Sequence, residues 1–244
     1  MDVLRLRFDS ALMSFGSVIV DQHNVTDRFP TLSMLTGLFG NALGYCHNDH
    51  RKLTNLQERI EFAARWDIEP EAFVDYQTVD LNQPHMSLDR KGGWTTRGYP
   101  EWRAGGNAAR LGTHQRYRHY WANGVMTLAV SLLGKDIPTT NSLKQALKTP
   151  VRPLFLGRKS CLPSTPIVLD LVSSGNVLDA LSDAPRARQG DRIENGLMSA
   201  CWPLHLNGVD KAREVRVYDI RDWNSQVHTG SRKRLEGLLI GNDS

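Results

Sequence analysis

Residues 27–44, DRFPTLSMLTGLFGNALG, carry the pattern of one short amphipathic helix. Pro30 and Thr31 are helix-start residues, because proline fixes φ and a threonine hydroxyl accepts a hydrogen bond from an N–H of the first turn. Apolar residues then recur at helical spacing, which predicts a stripe that faces the core. The stripe consists of Leu32, Leu35, Leu38, Phe39, Ala42 and Leu43.

The opposite side of this predicted helix is bare, where a surface helix usually carries charged residues. It collects Ser33, Gly37, Gly40, Asn41 and Gly44. Each glycine inside a helix costs roughly 1 kcal/mol relative to alanine, so close approach by another group is expected. Two explanations are open: internal packing against the same chain, or approach by a ligand backbone. For the second, Arg28 and the first-turn N–H groups suit a phosphate.

The composition is that of a globular protein with an excess of positive charge. The chain has 244 residues, 40% of them hydrophobic, and a formal net charge of +4, which favours an anionic partner. Three widely spaced cysteines, Cys46, Cys161 and Cys201, argue against a disulfide framework. No run approaches the roughly 18 apolar residues of a membrane span, so we predict a cytoplasmic protein without membrane contact.

Hydrophobic periodicity elsewhere predicts an alternation of strands and helices. The order strand, helix, strand, inserted arm, strand, helix and then a Pro-rich strand matches the split βαβ of an α+β, ferredoxin-like fold. We predict a single domain over residues 1–244, with an irregular C-terminal part over 185–244. Strands are predicted over residues 3–8, 60–66, 125–132, 167–172 and 214–220, and further helices around Leu53 to Ile60, over 139–148 and over 176–183.

Residues 80–121 interrupt this alternation and read as an inserted β-hairpin, or thumb. Guanidinium groups neutralise phosphates and flat rings stack on unpaired bases, so the mixture found here favours single-stranded nucleic acid. A solvated surface hairpin whose rings fold back onto the core is the alternative. The basic residues are Arg90, Lys91, Arg97, Arg103, Arg110, Arg116 and Arg118, and the rings are Trp94, Tyr99, Trp102, Tyr117, Tyr120 and Trp121.

Residues 150–161, PVRPLFLGRKSC, form a second basic segment. Pro150 and Pro153 confine it to a sheet edge or an extended loop, and Gly157 allows a tight turn. No GxxxxGK spacing is present, so the segment is not a P-loop. The turn presents Arg158, Lys159 and Ser160.

Five segments in this order and spacing resemble one known family. They are RFPTLSMLTGLFGNALGY (28–45), DYQTV (75–79), GGWTTRG (92–98), THQRYRHYWANGV (113–125) and PVRPLFLGRKSC (150–161). The family is CasD, the RAMP-superfamily subunit of the type I-E CRISPR surveillance complex, Cascade. The resemblance covers residues 3 to about 170.

The resemblance implies a non-catalytic, cofactor-free subunit of an antiviral ribonucleoprotein. Such a subunit grips the 5′ handle of the CRISPR RNA and caps the backbone filament next to the large subunit. Its partners are therefore the CRISPR RNA, the Cascade backbone subunits and the large subunit, with target DNA met indirectly. The RNA-binding residues expected on this basis are Arg28, Thr31, Ser33, Gly37, Arg97, His114, Arg116, Tyr117, Arg158, Lys159 and Ser160.

Three other functions were weighed. A related subunit in a sister subtype is a metal-independent endoribonuclease, and here His114, His119, Tyr117 and Lys159 are candidate proton shuttles, with Arg116 as the phosphate partner. A protein-interaction subunit without RNA contact would leave the basic arm unexplained. A zinc site is disfavoured, because the close trio of Cys46, His47 and His50 has no second pair of ligands.

Overall fold

The computed structural model describes residues 1–17, 22–80, 92–94, 100–102, 113–187, 196–206 and 212–240. The helices of this part are α1 Leu32–Ala42, α2 His50–Arg59, α3 Thr140–Lys148 and α4 Val177–Ser182. The strands are β1 Asp2–Asp9, β2 Leu12–Met13, β3 His23–Asn24, β4 Ile60–Ile68, β5 Glu71–Asp80, β6 Gly92–Trp94, β7 Pro100–Trp102, β8 Thr113–Ala122, β9 Val125–Leu132, β10 Val168–Ser173, β11 Leu197–Pro203, β12 Arg213–Asp222 and β13 Val227–Ile240.

The main sheet is antiparallel, and within the described residues it has seven strands in the order β10-β1-β9-β4-β11-β13-β12. The protein is therefore a mixed α+β structure, as predicted. The predicted strands correspond to β1, β4, β9, β10 and β12, and the predicted helices to α1, α2, α3 and α4. Residues 150–161 form an extended loop, one of the two forms that their prolines predict, so the Pro-rich strand in the predicted order was wrong and β10 is the strand that follows α3.

Alternate residues of each strand point to opposite sides, and at β1 the main sheet has a hydrophobic core on each face. On β1, Leu4 and Phe8 belong to a large core shared with α1 and α3. Val3 points to the other side, into a second core that includes residues of α4 and the buried Trp202 of β11. The strand predicted over residues 3–8 is confirmed, and α1 lies on the side of the larger core.

A second, smaller sheet is built around β8. Strand β5 pairs antiparallel with β8 over its whole length, while short strands β2 and β3 take the other edge, β3 in parallel. Of the predicted thumb, residues 81–91, 95–99 and 103–112 lie outside the described residues. Its last part is β8, where Tyr120 and Trp121 pack against the large core. For these two rings the alternative, folding back onto the core, is correct.

The C-terminal part is regular: β12 matches the strand predicted over 214–220, and the predicted irregularity over 185–244 was wrong for β11 and β13. Strand β11 pairs with β4 and with β13, which carries β12 at the sheet edge. In these strands charged residues interrupt the alternation of apolar and polar residues that indicates a strand. The charges pair across neighbouring strands, as in Arg213–Glu236 and Lys233–Glu214. Each charged residue pairs with a residue of a neighbouring strand, and the local sequence does not show which strand that is.

The three cysteines are free thiols in different surroundings: Cys46 is exposed, whereas Cys161 and Cys201 are buried. Burial raises the pKa of Cys201 to about 12 and also raises the pKa of Cys161. Because the thiolate is the reactive form, we expect iodoacetamide at pH 8 to modify Cys46 first and Cys201 hardly at all. Peptide mass spectrometry measures the three rates. Equal alkylation rates of the three cysteines in the native protein would contradict the burial of Cys161 and Cys201. In denaturant the three rates should converge.

Among the described helices, none combines the length and the apolar character that a bilayer-crossing helix needs.

Candidate nucleic-acid interface

N–H groups at the start of α1 donate hydrogen bonds to side chains of the protein itself. Thr31 is the N-cap: its hydroxyl accepts a hydrogen bond from the Met34 N–H (3.2 Å) and donates to the Phe15 carbonyl (2.8 Å). The Leu32 N–H donates to Asp219 Oδ2 at 2.8 Å. A carboxylate from β12 therefore occupies the position where a phosphate was expected at the helix start.

Arg28 is also engaged within the chain. Its guanidinium forms an ion pair with Glu69 and lies over the rings of Trp66 and Trp121, 5.6 and 5.2 Å from their centroids. Its backbone carbonyl accepts a hydrogen bond from Trp66 Nε1 at 3.2 Å. Arg28 thus joins the main sheet to the small sheet, and its charge is balanced by Glu69.

The bare side of α1 is covered only toward its C-terminal end. A Cβ added to Gly40 would lie 2.7 Å from Leu53 Cδ2 of α2, and one added to Gly44 would lie 3.2 Å from the Val151 methyl groups. Asn41 accepts a hydrogen bond from Arg152 Nε at 2.7 Å. Internal packing therefore explains this half of the side.

The other half of that side, near the start of α1, is open. A Cβ added to Gly37 would have nothing within 4 Å. Ser33 Oγ lies 3.1 Å from His228 Nε2 of β13. Burial and the nearby Arg221 lower the pKa of His228, so its ring is neutral at pH 7. Ser33 and Gly37 are therefore the helix residues that a ligand backbone can approach.

Gly37→Ala is expected to stabilise the free protein. The position is in mid-helix and open, so alanine should raise the free energy of unfolding by about 1 kcal/mol through helix propensity alone. Gly40→Ala is the matched comparison and should gain less or lose stability, because Leu53 must move. Urea unfolding measures both. A destabilised Gly37→Ala protein would show that the position is packed.

A row of rings lies on one face of the small sheet. The His23 and Tyr117 rings are stacked, with centroids 4.6 Å apart and planes 8° apart, and the Tyr76 centroid lies 5.0 Å from that of Tyr117. His23 Nδ1 lies 3.2 Å from His119 Nε2. Tyr76 is 50% exposed. We call His23, Tyr76, Tyr117 and His119 the ring face, and it offers π surfaces to solvent.

Arg116 and Tyr117 were both predicted to bind RNA, but neighbouring strand residues point to opposite faces. Arg116 is half-buried and lies on the face opposite the ring face, with Arg118. The backbone of His114 belongs to β8, also in the register of Arg116, and its side chain lies outside the described residues. Arg97 lies outside the described residues as well. Among the described side chains, the small sheet therefore separates Arg116 from Tyr117.

The turn at 157–160 contributes one anchored and two exposed residues. Arg158 donates to the carbonyls of His119 (3.2 Å) and Asn24 (2.8 Å), and its guanidinium lies 4.6 Å from the Tyr120 ring centroid. It ties the loop to the small sheet. Lys159 and Ser160 are exposed beside it. Of the predicted basic pair, Lys159 is the residue placed to meet a phosphate.

His23 and Tyr76 were not predicted as site residues. Tyr76 lies in the DYQTV segment, which the sequence analysis used only for the family resemblance, and its partner across the sheet lies in a distant part of the chain. His23 lies against Tyr117 because β3 pairs with β8 in parallel over two residues, and no local sequence pattern predicts this pairing.

A metal site has no support among the described side chains, where no group of three or more His, Cys, Asp or Glu residues is placed to hold an ion. This includes Cys46, His47 and His50.

Comparison with known proteins gives a consistent family. The chain is 28% identical over 181 residues to the CRISPR system Cascade subunit CasD of Escherichia coli (strain K12), covering 73% of this chain and 75% of that protein. A chain of a CRISPR RNA-guided surveillance complex has a similar fold, with a TM-score of 0.64 at 19% identity over 97% of this chain and 89% of that one. A crystal structure of a Cas protein gives 0.60 at 19% identity over 98% and 94%.

The match to a family model is nearly as long as the chain. Residues 3–235 match the model described as CRISPR-associated protein (Cas_Cas5). This range includes α1, the small sheet, the turn at 157–160 and most of β13. The chain belongs to the CRISPR-associated protein (Cas_Cas5) family.

Proposed function

We propose that this protein is a non-catalytic RNA-binding subunit of a type I-E CRISPR surveillance complex. It grips the 5′ handle of the CRISPR RNA and caps the backbone filament next to the large subunit, in the cytoplasm. Family membership and the similarity to the Cascade subunit CasD support the assignment to such a complex.

The observation that carries the RNA-binding proposal is the exposed ring face. Tyr76 offers an exposed π surface that can stack on any unpaired base, Tyr117 lies beside it, and Lys159 lies on the loop that Arg158 fastens to the same small sheet. Rings for bases and a cation for phosphates are what single-stranded RNA requires.

We further propose that the N-terminal two thirds form a ferredoxin-like domain of the RAMP type, within a single domain over 1–244. Strands β1, β4, β9 and β10 follow the chain order of a split βαβ, with α1 and α2 after the first strand and α3 after the third. Their order in the sheet, β10-β1-β9-β4, supports this classification.

RNA binding is tested with purified protein and a fluorescein-labelled RNA that carries the repeat-derived 5′ handle, by fluorescence anisotropy. Tyr76→Ala should weaken binding about tenfold, since one base stack is worth about 1 to 3 kcal/mol. Lys159→Glu should also weaken binding, and the dependence of log K on log salt should become shallower. Lys148→Ala, which removes an exposed cation on α3, is the control and should bind as wild type. Unchanged binding in both test variants would refute the proposal.

The proposed absence of catalysis needs its own experiment, because His23 and His119 lie 3.2 Å apart beside Tyr117. Repeat RNA is incubated with the protein in EDTA, which removes metal-dependent contaminants. We expect intact RNA. Site-specific cleavage that is lost in His119→Ala or His114→Ala would establish the endoribonuclease alternative instead.

A further inference from the structure

The outer edge of β5 is a long strand edge that no described strand covers. Strand β5 pairs with β8 through all its residues, Glu71–Asp80, without a shift in register. The backbone groups on its other side therefore form a regular row. On the far side of β8 lie β2 and β3, so within the described residues the outward N–H and C=O groups of β5 have no strand to pair with.

The outermost strands of the main sheet differ from β5. The register of β10 with β1 shifts between Arg5 and Leu6, and that of β12 with β13 shifts between Val217 and Ile220 and again at Arg221. Irregularities of this kind interrupt the row of N–H and C=O groups that an added strand needs. Among the described strands of more than three residues, β5 is the outermost strand whose register is unbroken.

Strand β5 also lacks the residues that usually protect an edge. Natural sheets guard their edge strands with lysine, proline or a bulge. The sequence of β5, EAFVDYQTVD, contains no Lys, Arg or Pro. Three large side chains on it are exposed: Phe73 by 44%, Val74 by 45% and Tyr76 by 50%. An unguarded edge of this composition is expected to be covered by a partner in the assembled protein.

The side chains of β5 specify the kind of strand that fits. Alternate residues point to opposite faces, which places Glu71 and Asp75 on one face and Val74 and Tyr76 on the other. Cross-strand neighbours stabilise a sheet when opposite charges meet and when apolar side chains meet. A matching strand therefore carries Lys or Arg toward the acidic face and apolar residues toward the face of Val74.

We propose that β5 accepts an extended strand from another protein chain of the surveillance complex, with basic and apolar residues in alternation. The strand forms backbone hydrogen bonds along the outer edge of β5, and its basic side chains pair with Glu71 and Asp75. It lengthens the small sheet next to Tyr76 of the ring face. The inference rests on the proposed function, because the complex supplies the partner chain.

A second copy of this chain fits the edge poorly. The charged residues of β5 are Glu71, Asp75 and Asp80, so pairing two copies would bring together three carboxylates from each and no cation. In the antiparallel register centred between Asp75 and Tyr76, Glu71 lies directly opposite Asp80. Like charges in such positions destabilise a strand pair, so the added strand comes from a different protein.

Hydrogen–deuterium exchange with mass spectrometry tests the pairing. Three samples are compared: the protein alone, the protein with the handle RNA, and the complex purified after co-expression with the other surveillance subunits and a CRISPR RNA. Outward amides of β5 exchange rapidly when they are open to solvent and slowly when they donate to a partner strand. We expect peptides over residues 71–80 to exchange about tenfold more slowly in the complex than in either other sample.

Val74→Lys adds a guard residue to this edge. We expect it to lower the amount of co-purifying subunits about fivefold or more, because the lysine meets the apolar side of the added strand. RNA affinity should not fall, since Val74 lies opposite His119 and the new cation is beside the ring face. Val227→Lys makes the same change at a 52% exposed position on β13 and is the control, which should assemble as wild type.

The outcomes separate the added strand from the proposed function. If the complex assembles while β5 exchanges as fast as in the free protein, the added strand is refuted and the function stands. The same holds if RNA alone slows the exchange of β5 equally, or if Val74→Lys assembles as wild type. If the wild-type protein does not co-purify with the other subunits, both are wrong.

Discussion

Gly157→Ala is expected to destabilise the protein by about 4 kcal/mol or more, enough to unfold many single domains. Gly157 has a φ of +104°, which L side chains rarely adopt, and an added Cβ would lie 1.5 Å from the Ser14 carbonyl oxygen. Backbone has to move to relieve that contact. The loss of soluble protein, or a large fall in the urea midpoint, measures the effect.

Gly16→Ala is the matched control for the backbone conformation. Gly16 has a φ of +76°, but an added Cβ would have nothing within 4 Å. Gly16→Ala should lower the free energy of unfolding only by the cost of the backbone conformation, about 1 to 2 kcal/mol. If the two variants are equally stable, Gly157 does not lie against Ser14, and the loop that carries Lys159 is placed differently.

Asp219→Ala should destabilise the protein by about 3 kcal/mol. Asp219 is buried, binds Arg232 at 2.9 Å and accepts the Leu32 N–H at 2.8 Å. Removing one partner of a buried ion pair leaves the other charge poorly compensated, and here a helix N–H also loses its acceptor. Chemical denaturation with circular dichroism measures the difference.

Glu214→Ala provides the comparison on the same strand. Glu214 pairs with Lys233 at 2.7 Å, but both side chains are largely exposed, so the change should stay within about 0.5 kcal/mol. Equal losses for Asp219→Ala and Glu214→Ala would contradict the role of Asp219 at the start of α1.

The elements that follow from local sequence were predictable, and α1 shows why. The stripe from Leu32 to Ala42 repeats at helical spacing, and Thr31 caps the helix as its position indicates. The same local pattern left open whether the glycines of α1 pack against the chain itself or face a ligand. For Gly40 and Gly44, the contacts with α2 and with the loop at Val151 show internal packing, and the positions of these contacts depend on the fold.

The candidate site depends mostly on pairings between distant residues. The predicted phosphate position is taken by Asp219, 187 residues after Leu32. Arg158 was predicted to bind RNA, yet its hydrogen bonds to Asn24 and His119 make it an anchor. Tyr117 was predicted to bind RNA, which stays a prediction, and its neighbours Tyr76 and His23 come from other strands.

We claim that the ring face holds the RNA, and photo-crosslinking can identify the residues that contact it. A handle RNA with 4-thiouridine at successive positions is irradiated with the purified protein, and crosslinked peptides are identified by mass spectrometry. We predict crosslinks to peptides that contain Tyr76, Tyr117 or Lys159. Crosslinks confined to other surfaces, such as α3, would contradict the claim.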